Sequence, residues 1–251
     1  MKKLFFLIYF CASICLSAEP GPLFFWKLPP LTFSSFTAFG DNYPFDSDGT
    51  LIISQTHFRI TGSTDFNFYS AHGEFFTQTG DTSTRQNVGD ITINDSLKPV
   101  FSKDSTYKIF GMDLSTDTSF TWTFNPQGVN NIVQVPINYT TTKPLININN
   151  INLSMVDTNI YKLFGFAFMH SNIMADSIIY ILSSDTVRIQ KKIIGSSLGV
   201  SFTPVEMLSL PVSDTGGFFI IIYNVMPFTS NGKKYYFQNN STAIVGTLHI
   251  H

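Results

Sequence analysis

Short strand-like segments separated by turn residues fill most of this chain and constrain its fold more than any other feature. In the N-terminal half these segments cover residues 51–60, 65–69, 73–79, 90–94, 106–112 and 120–125. Breakers such as Gly80-Asp81 and Lys98-Pro99 stand between them. Strands of this length at close spacing are typical of a β-sandwich or barrel. The last of them contains Trp122 and is followed by Asn125-Pro126-Gln127-Gly128, so we expect it to close a first β unit.

The composition favours the same class and excludes others. Aromatic residues make up 15% of the chain, with 26 phenylalanines, and charged residues only 13%. Large aromatic and β-branched side chains suit a pleated, half-buried surface, and so low a charge argues against intrinsic disorder. With a formal net charge of −2, the chain lacks the basic footprint that nucleic-acid binding requires.

The N-terminus has the three parts of a secretory signal peptide. Lys2 and Lys3 precede the apolar run 4–16, and Ala18 precedes a polar residue. We expect cleavage after Ala18, which would remove Cys11 and Cys15 and leave no disulfide in the exported chain. A lipoprotein with Cys11 or Cys15 acylated is the alternative. No later apolar run reaches the roughly 20 residues of a membrane-spanning helix.

A second β unit follows a joint at residues 126–144, where Pro136 marks an edge strand. Its predicted strands cover residues 146–154, 160–169, 177–182, 186–194, 199–203, 218–224, 234–238 and 241–250. Thr203-Pro204-Val205-Glu206 is a capping box and predicts one helical turn. We expect Met207, Leu208 and Leu210 to form the apolar side of that turn.

The order of these elements resembles an immunoglobulin-like sandwich. In that family a short strand, a helical turn and an Asp-x-Gly corner precede a central strand, as residues 203–210, Asp214-Thr215-Gly216 and 218–223 do here. The chain departs from the family in having no cysteine in this half and Phe218 at the tyrosine-corner position. The resemblance implies an architecture and no function.

The chain also resembles exported bacterial proteins of unknown function. The resemblance rests on four short motifs: Gly89-Asp90-Ile91-Thr92-Ile93-Asn94 before a strand with Tyr107, Phe120-Thr121-Trp122, Val200-Ser201-Phe202-Thr203 with Glu206-Met207, and Asn231-Gly232-Lys233-Lys234-Tyr235-Tyr236-Phe237. It implies a β protein of the cell envelope or a secreted one. It implies no substrate and no catalytic residue.

Two groups of residues are candidate metal ligands. His249 and His251 alternate on the last strand, but a zinc site needs three or four ligands, so we expect a solvated terminus instead. Asp41, Asp46 and Asp48 offer the oxygen ligands that calcium prefers, but they lack the full loop pattern. Turn chemistry explains these aspartates equally well.

Glu74 beside His72 is the candidate for carbohydrate hydrolysis, which needs a pair of carboxyl groups across a cleft. An outward strand position for Glu74 is the plainer expectation, and Glu206 is explained as a helix cap. Phe75-Phe76 and Tyr235-Tyr236-Phe237 place rings on both faces of a strand, so one ring of each group is a candidate for sugar stacking or docking. Asn-x-Ser/Thr sequons occur at Asn94, Asn138, Asn152, Asn239 and Asn240.

The sequence therefore predicts an all-β protein of two β-sandwich domains, the second immunoglobulin-like, after a cleaved signal peptide. Its parts are a signal peptide at 1–18, an extended lead-in at 19–49, an N-terminal β domain at 50–128 and a C-terminal domain at 129–251. We expect an exported, non-enzymatic binding or structural module of the cell envelope, located in the periplasm, at the cell surface or outside the cell. Its expected partner is an envelope protein or glycan, and no residue is assigned a catalytic, cofactor-binding or metal-binding role. The alternative is a secreted carbohydrate-active hydrolase.

Overall fold

The computed structural model describes residues 46–60, 64–81, 83–110, 120–125, 137–140, 158–185, 187–230 and 232–251. The predicted signal peptide, most of the lead-in, the joint up to Pro136 and the predicted strand 146–154 lie outside these residues. Within them the regular structure is almost entirely strand, with a single short α-helix. The prediction of an all-β chain is confirmed.

The strands are numbered in chain order. They are β1 (Gly49–Ile60), β2 (Thr64–Phe75), β3 (Asp90–Ile93), β4 (Val100–Phe101), β5 (Tyr107–Phe110), β6 (Thr121–Asn125), β7 (Ile137–Thr140), β8 (Thr158–Ile160), β9 (Phe166–Ser184), β10 (Val187–Phe202), β11 (Ser213–Ser230) and β12 (Lys233–Ile250). A 3₁₀ turn spans Lys162–Phe164, and the helix α1 spans Pro204–Met207.

One large sheet runs through both predicted halves of the chain. Its strand order is β10-β9-β11-β12-β1-β2-β5-β4, and β8 adds to the end of β12. The two halves meet where β1 lies parallel to β12, from Gly49 opposite Tyr235 to Phe58 opposite Ile244. Strands β3, β6 and β7 form a separate sheet. The division into two domains therefore stays a prediction, because backbone hydrogen bonds cross the proposed boundary.

A polar clamp sets the register between β1 and β12. The Asp48 amide donates to the Lys234 carbonyl over 2.7 Å, and the Lys234 amide donates to Asp48 Oδ2 over 2.8 Å. Thr79 Oγ1 donates to the other Asp48 oxygen over 2.7 Å. Because the amides of Asp48 and Lys234 both find acceptors here, the register of β1 against β12 is fixed at this point.

The long strands join segments that the sequence pattern separates. Residues 65–69 and 73–79 were expected as two strands, yet β2 is continuous to Phe75. Likewise β10 joins 186–194 to 199–203, and β12 joins 234–238 to 241–250. Glycine, asparagine and serine interrupt the apolar pattern without ending a strand, because pairing with neighbouring strands supplies the hydrogen bonds that local propensity does not.

The first core lies between the large sheet and the small one. Ile91, Ile93, Trp122 and Phe124 of the small sheet are buried with Leu51, Phe75, Phe237 and others of the large sheet. The rings of Phe75 and Phe124 lie 5.5 Å apart, edge to face, and those of Trp122 and Phe237 lie 6.2 Å apart. The predicted closing strand with Trp122 is in fact the middle strand of the small sheet, between β3 and β7.

The second core forms because the β9–β10 hairpin folds back on itself. Lys191 Nζ donates to the carbonyl of Ser201, ten residues further along the same strand, over 2.8 Å. A straight strand would separate these residues by about 33 Å. The register shifts beside Gly195 and Gly199 mark the bend in the strand.

The folded-back part of the hairpin covers the apolar face of the large sheet. Phe166 and Phe168 at the start of β9 each place their ring centroid 5.1 Å from that of Phe218 in β11. Ile178 and Leu182, later in β9, are buried in the same cluster. One hairpin thus contributes to both layers of the second core.

A polar belt separates the two cores on the same face of the sheet. Along β12, Tyr235 and Phe237 belong to the first core and Ala243 to the second, whereas Asn239 and Ser241 between them are buried and polar. On β1 the belt continues as a buried glutamine and histidine, Gln55 and His57, which both contact Asn67 Oδ1, over 3.2 Å and 2.8 Å.

Candidate docking surface

A group of exposed apolar side chains lies at one end of the sheet. We define the apolar pole as five residues with their exposed fractions: Tyr161 (54%), Leu163 (80%), Phe164 (84%), Val205 (77%) and Leu208 (63%). They lie on the 3₁₀ turn and on and beside α1, two segments that contact each other. Contiguous exposed apolar patches on a typical monomer reach about 300–600 Å² and are often functional.

The 3₁₀ turn of the pole is rigidly attached. The amides of Phe164 and Gly165 donate to Tyr161 and Lys162 carbonyls over 3.0 Å and 3.2 Å, and Lys162 Nζ donates to the Leu210 carbonyl over 3.0 Å. Gly165 has φ 73°, and a Cβ there would lie 2.6 Å from a backbone oxygen of Phe202. Only glycine therefore fits this close approach, which holds the turn against α1.

The helical turn is held by the predicted capping box, which is confirmed. Thr203 Oγ1 accepts the Glu206 amide over 3.3 Å, and Glu206 Oε2 accepts the Thr203 amide over 2.7 Å. The hydrogen bond from Lys191, together with those from Thr203, lowers the pKa of Glu206 to about 2. Of the three residues expected to form the apolar side of the turn, Met207 and Leu210 are buried in the second core, whereas Leu208 is exposed.

Sequence reasoning missed the pole. The sequence predicts one buried strand over 160–169, because all of these residues except Lys162 and Gly165 are apolar or aromatic. In the structure β8 ends at Ile160 and β9 begins at Phe166, and the 3₁₀ turn lies between them. Gly165 was the only local sign of a break. Exposure of Leu163 and Phe164 depends on where the sheet ends, which no local pattern records.

Glu74, the candidate of the hydrolase hypothesis, alternates with Phe75 and so lies on the face of β2 opposite the first core, but it is buried there. Its side chain is only 3% exposed; Oε1 lies 2.8 Å from His72 Nε2 and Oε2 lies 3.2 Å from Arg85 Nε. Burial raises the pKa of Glu74, but the hydrogen bond and charge of His72 and the charge of Arg85 outweigh it, so the pKa is lowered. A carboxyl group held ionised in this way is the opposite of a general acid, which needs a raised pKa.

The other candidate residues are used by the fold. Asp46 pairs with Lys234 and accepts a hydrogen bond from Tyr236 over 2.8 Å, and Asp48 pairs with Lys233. Side chains of the protein therefore already bind these carboxylates. Asp41 lies outside the described residues. In the part of the chain that the structure describes, no group of three or more histidine, cysteine or acidic side chains is arranged to hold a metal ion.

The histidines at the end of the chain are tied to the fold. His251 exchanges backbone hydrogen bonds with Ile160 and Lys162, and its Nε2 lies 2.9 Å from Asn159 Oδ1. His249 Nδ1 lies 3.4 Å from Asp214 Oδ1. The terminus is therefore not frayed, because pairing with β8 holds these residues in place, whereas the His251 side chain is exposed to solvent, as expected.

The aromatic pairs and two of the five sequon asparagines are buried. The rings are all buried because both strands are inner strands of the large sheet: β12 lies between β11 and β1, and β2 lies between β1 and β5. They belong to Tyr235, Tyr236 and Phe237 of β12 and to Phe75 and Phe76 at the end of β2. The inner position of β12 also buries Asn239 and Asn240, which excludes them as glycan acceptors in the folded chain. Asn94 Oδ1 accepts the Thr121 amide over 2.8 Å. Asn152 lies outside the described residues.

Comparisons with protein-family profiles, with curated proteins and with solved structures each gave no match for this chain. Among the residues that the structure describes, no helix has the length and apolarity needed to cross a lipid bilayer.

Proposed function

We propose that this protein is an exported, non-enzymatic binding module of the cell envelope that docks through the apolar pole. The observation that carries the proposal is the exposure of five large apolar side chains on two turns that are themselves held by caps and hydrogen bonds. A rigid scaffold that leaves such side chains in water has not used them for its own packing.

Export and architecture belong to the same proposal. The predicted signal peptide supports passage out of the cytoplasm, with a lipid-anchored form as the alternative for attachment. The folded-back β9–β10 hairpin supports a two-layered C-terminal half, and the packing of the small sheet on the large one supports a layered N-terminal half. The immunoglobulin-like character of the C-terminal half rests on the resemblance in residues 203–223. Mass spectrometry of the mature N-terminus distinguishes cleavage after Ala18 from acylation at Cys11 or Cys15.

The competing function, carbohydrate hydrolysis, has less physical support. Its only candidate carboxyl group, that of Glu74, is ionised and paired with two bases. Incubation of the protein with a panel of polysaccharides tests it directly, and we expect no cleavage. Cleavage that is abolished by Glu74→Gln would replace the binding module with an enzyme.

Sedimentation of the purified protein with isolated cell envelopes tests docking through the pole. We expect the wild-type chain to sediment with the envelopes and Leu163→Ser combined with Phe164→Ser to stay in the supernatant. The control is Met174→Ser combined with Ile194→Ser, because these side chains are 75% and 81% exposed at the bend of the hairpin, away from the pole. Equal binding by the pole variant and the control would refute the proposal.

A further inference from the structure

The apolar pole is convex and lies at the end of the long axis of the sheet. Leu163 and Phe164 are exposed by 80% or more, which is possible only for side chains that project from the surface. The turn that carries them is bonded to His251, directly after the last residue of β12, and β12 is 18 residues long. Such a strand measures about 60 Å. Contact through the pole would thus leave the rest of the molecule standing away from the partner.

Several backbone amides of the pole donate to carbonyls within the pole. Besides the amides of Phe164 and Gly165, those of Met207 and Leu208 donate to the carbonyls of Thr203 and Pro204 over 3.0 Å and 3.1 Å. Pro204 has no amide hydrogen to satisfy. An apolar medium offers no hydrogen bonds in exchange, so these internal hydrogen bonds lower the free-energy cost of entering one.

The charges around the pole are largely engaged. Lys191 Nζ lies 2.8 Å from Glu206 Oε1, and Lys162 Nζ donates to the Leu210 carbonyl. His249 contacts Asp214 over 3.4 Å. A partner is therefore not required to neutralise a strong charge of either sign, which fits an uncharged apolar surface better than an acidic or basic one.

We propose that the occupant of the apolar pole is the interfacial region of a phospholipid bilayer, into which Leu163, Phe164, Val205 and Leu208 insert. A fluid acyl layer takes up a convex apolar tip without a preformed pocket, whereas two convex poles of a second copy would touch over a small area. Tyr161 suits the boundary, because its ring has an apolar body and a polar hydroxyl. This inference rests on the proposed docking function and names its partner.

Flotation with vesicles of pure phosphatidylcholine tests the inference with matched substitutions. We expect Val205→Ser and Leu208→Ser each to weaken partitioning about tenfold. Their controls, Val100→Ser and Leu198→Ser, replace the same residue types at 69% and 57% exposure outside the pole and should leave partitioning unchanged. Raising the salt concentration should have little effect. Every variant carries the same processed N-terminus, so a difference between them reports the pole.

Insertion itself is read from Phe164→Trp in a Trp26→Phe background. Trp122 is fully buried and contributes a constant signal. We expect the new tryptophan to shift its emission to the blue when vesicles are added and to be quenched by brominated acyl chains. Circular dichroism verifies that each variant is folded.

Three outcomes would overturn the inference. They are wild-type protein that fails to float with vesicles, equal losses for the pole variants and their controls, and a self-associated protein that Val205→Ser converts to monomers. Comparing intact envelope fragments with fragments stripped of protein by protease distinguishes failure of this inference from failure of the proposed docking function. If only intact fragments bind the pole, the docking function stands and its partner is a protein.

Discussion

At the level of single residues, buried polar side chains hold loops of the N-terminal half in place through hydrogen bonds. Tyr107 is the clearest example. Its hydroxyl accepts the Val88 amide over 2.9 Å and lies 2.6 Å from Asn87 Oδ1 and 2.8 Å from the Gly89 carbonyl. Burial raises the pKa of Tyr107, so the hydroxyl stays protonated and can donate. One side chain thereby anchors the whole connection into β3.

Tyr107→Phe tests this anchor. The substitution leaves the Val88 amide buried without its acceptor, so we expect a loss of about 1–3 kcal/mol in the free energy of unfolding. Tyr161→Phe, which changes an exposed tyrosine, is the control and should alter stability by less than about 0.5 kcal/mol. Urea titration measures both. Similar stabilities for the two variants would show that the Tyr107 hydroxyl contributes nothing.

The Glu74 ion pair makes the free energy of unfolding depend on pH in the acid range. Because the pKa of Glu74 is lower in the folded chain than its unfolded value of about 4.3, its contribution is present above that pH and is lost as pH falls through the folded pKa. We expect Glu74→Gln to lose about 3 kcal/mol at neutral pH and to show a weaker decline below about pH 4.3 than the wild type.

Glu206→Gln is the exposed counterpart of Glu74→Gln: the pKa of Glu206 is also lowered, so this variant should weaken the acid decline too, but by less, because solvent screens the ion pair. Glu206 also forms an ion pair, over 2.8 Å to Lys191, but its side chain is 39% exposed, and glutamine serves equally well in a capping box. Urea midpoints measured from pH 3 to 7 compare the two variants. A decline with acid that is identical in wild type and Glu74→Gln would assign the acid sensitivity to other groups.

The bent hairpin of β9 and β10 is the element on which the C-terminal half depends. Its bend is made by two glycines that differ in their surroundings. Gly199 has φ 151°, and a Cβ there would lie 2.2 Å from the Phe168 carbonyl oxygen, whereas Gly195 has φ 85° with nothing within 4 Å. Gly199 allows two strands to approach closely, whereas Gly195 only supplies a backbone angle.

Alanine at the two positions should therefore have different effects. Gly195→Ala introduces conformational strain alone, and we expect a loss of about 1 kcal/mol. Gly199→Ala adds a clash with backbone that cannot move aside without breaking the hairpin, so we expect a loss of about 3 kcal/mol or more. Chemical denaturation compares them. Equal losses would mean that close packing at Gly199 does not shape the bend.

The parallel pairing of β1 with β12 joins both cores into one body at the scale of the whole molecule. Strands β11 and β12 carry residues of both cores along their length, and the polar belt lies between the cores without interrupting the pairing. Damage to one core should therefore be felt in the other, because the strands cannot separate from one core alone.

Phe218→Leu tests this coupling. Phe218 belongs to the second core and Trp122 to the first. In a Trp26→Phe background, we expect the substitution to lower the free energy of unfolding by about 1–2 kcal/mol. The midpoint of urea unfolding should fall by the same amount whether it is followed by Trp122 fluorescence or by circular dichroism. A Trp122 transition that does not move, with a second transition in circular dichroism, would instead support two independent domains, as the sequence predicts.

Local information in the chain was enough for the class of fold and for several of its parts. Aromatic and β-branched composition with frequent turns predicted strands, and the spacing of Thr203 and Glu206 predicted a capped helical turn, because propensity and capping depend on neighbours within a few residues. Strand ends were less predictable. Continuous pairing carries β10 and β12 through glycine, asparagine and serine positions at which the apolar pattern stops.

Contacts between distant segments decided the rest. The apolar pole, the burial of Glu74 with His72 and Arg85, and the tied His251 all depend on which strand lies beside which, and on where the sheet ends. A run such as Tyr161-Lys162-Leu163-Phe164 has the same hydrophobicity whether it is inside a sheet or beyond its end. Exposure is a property of the assembled strands, so it became visible only when residues far apart in the chain were brought together.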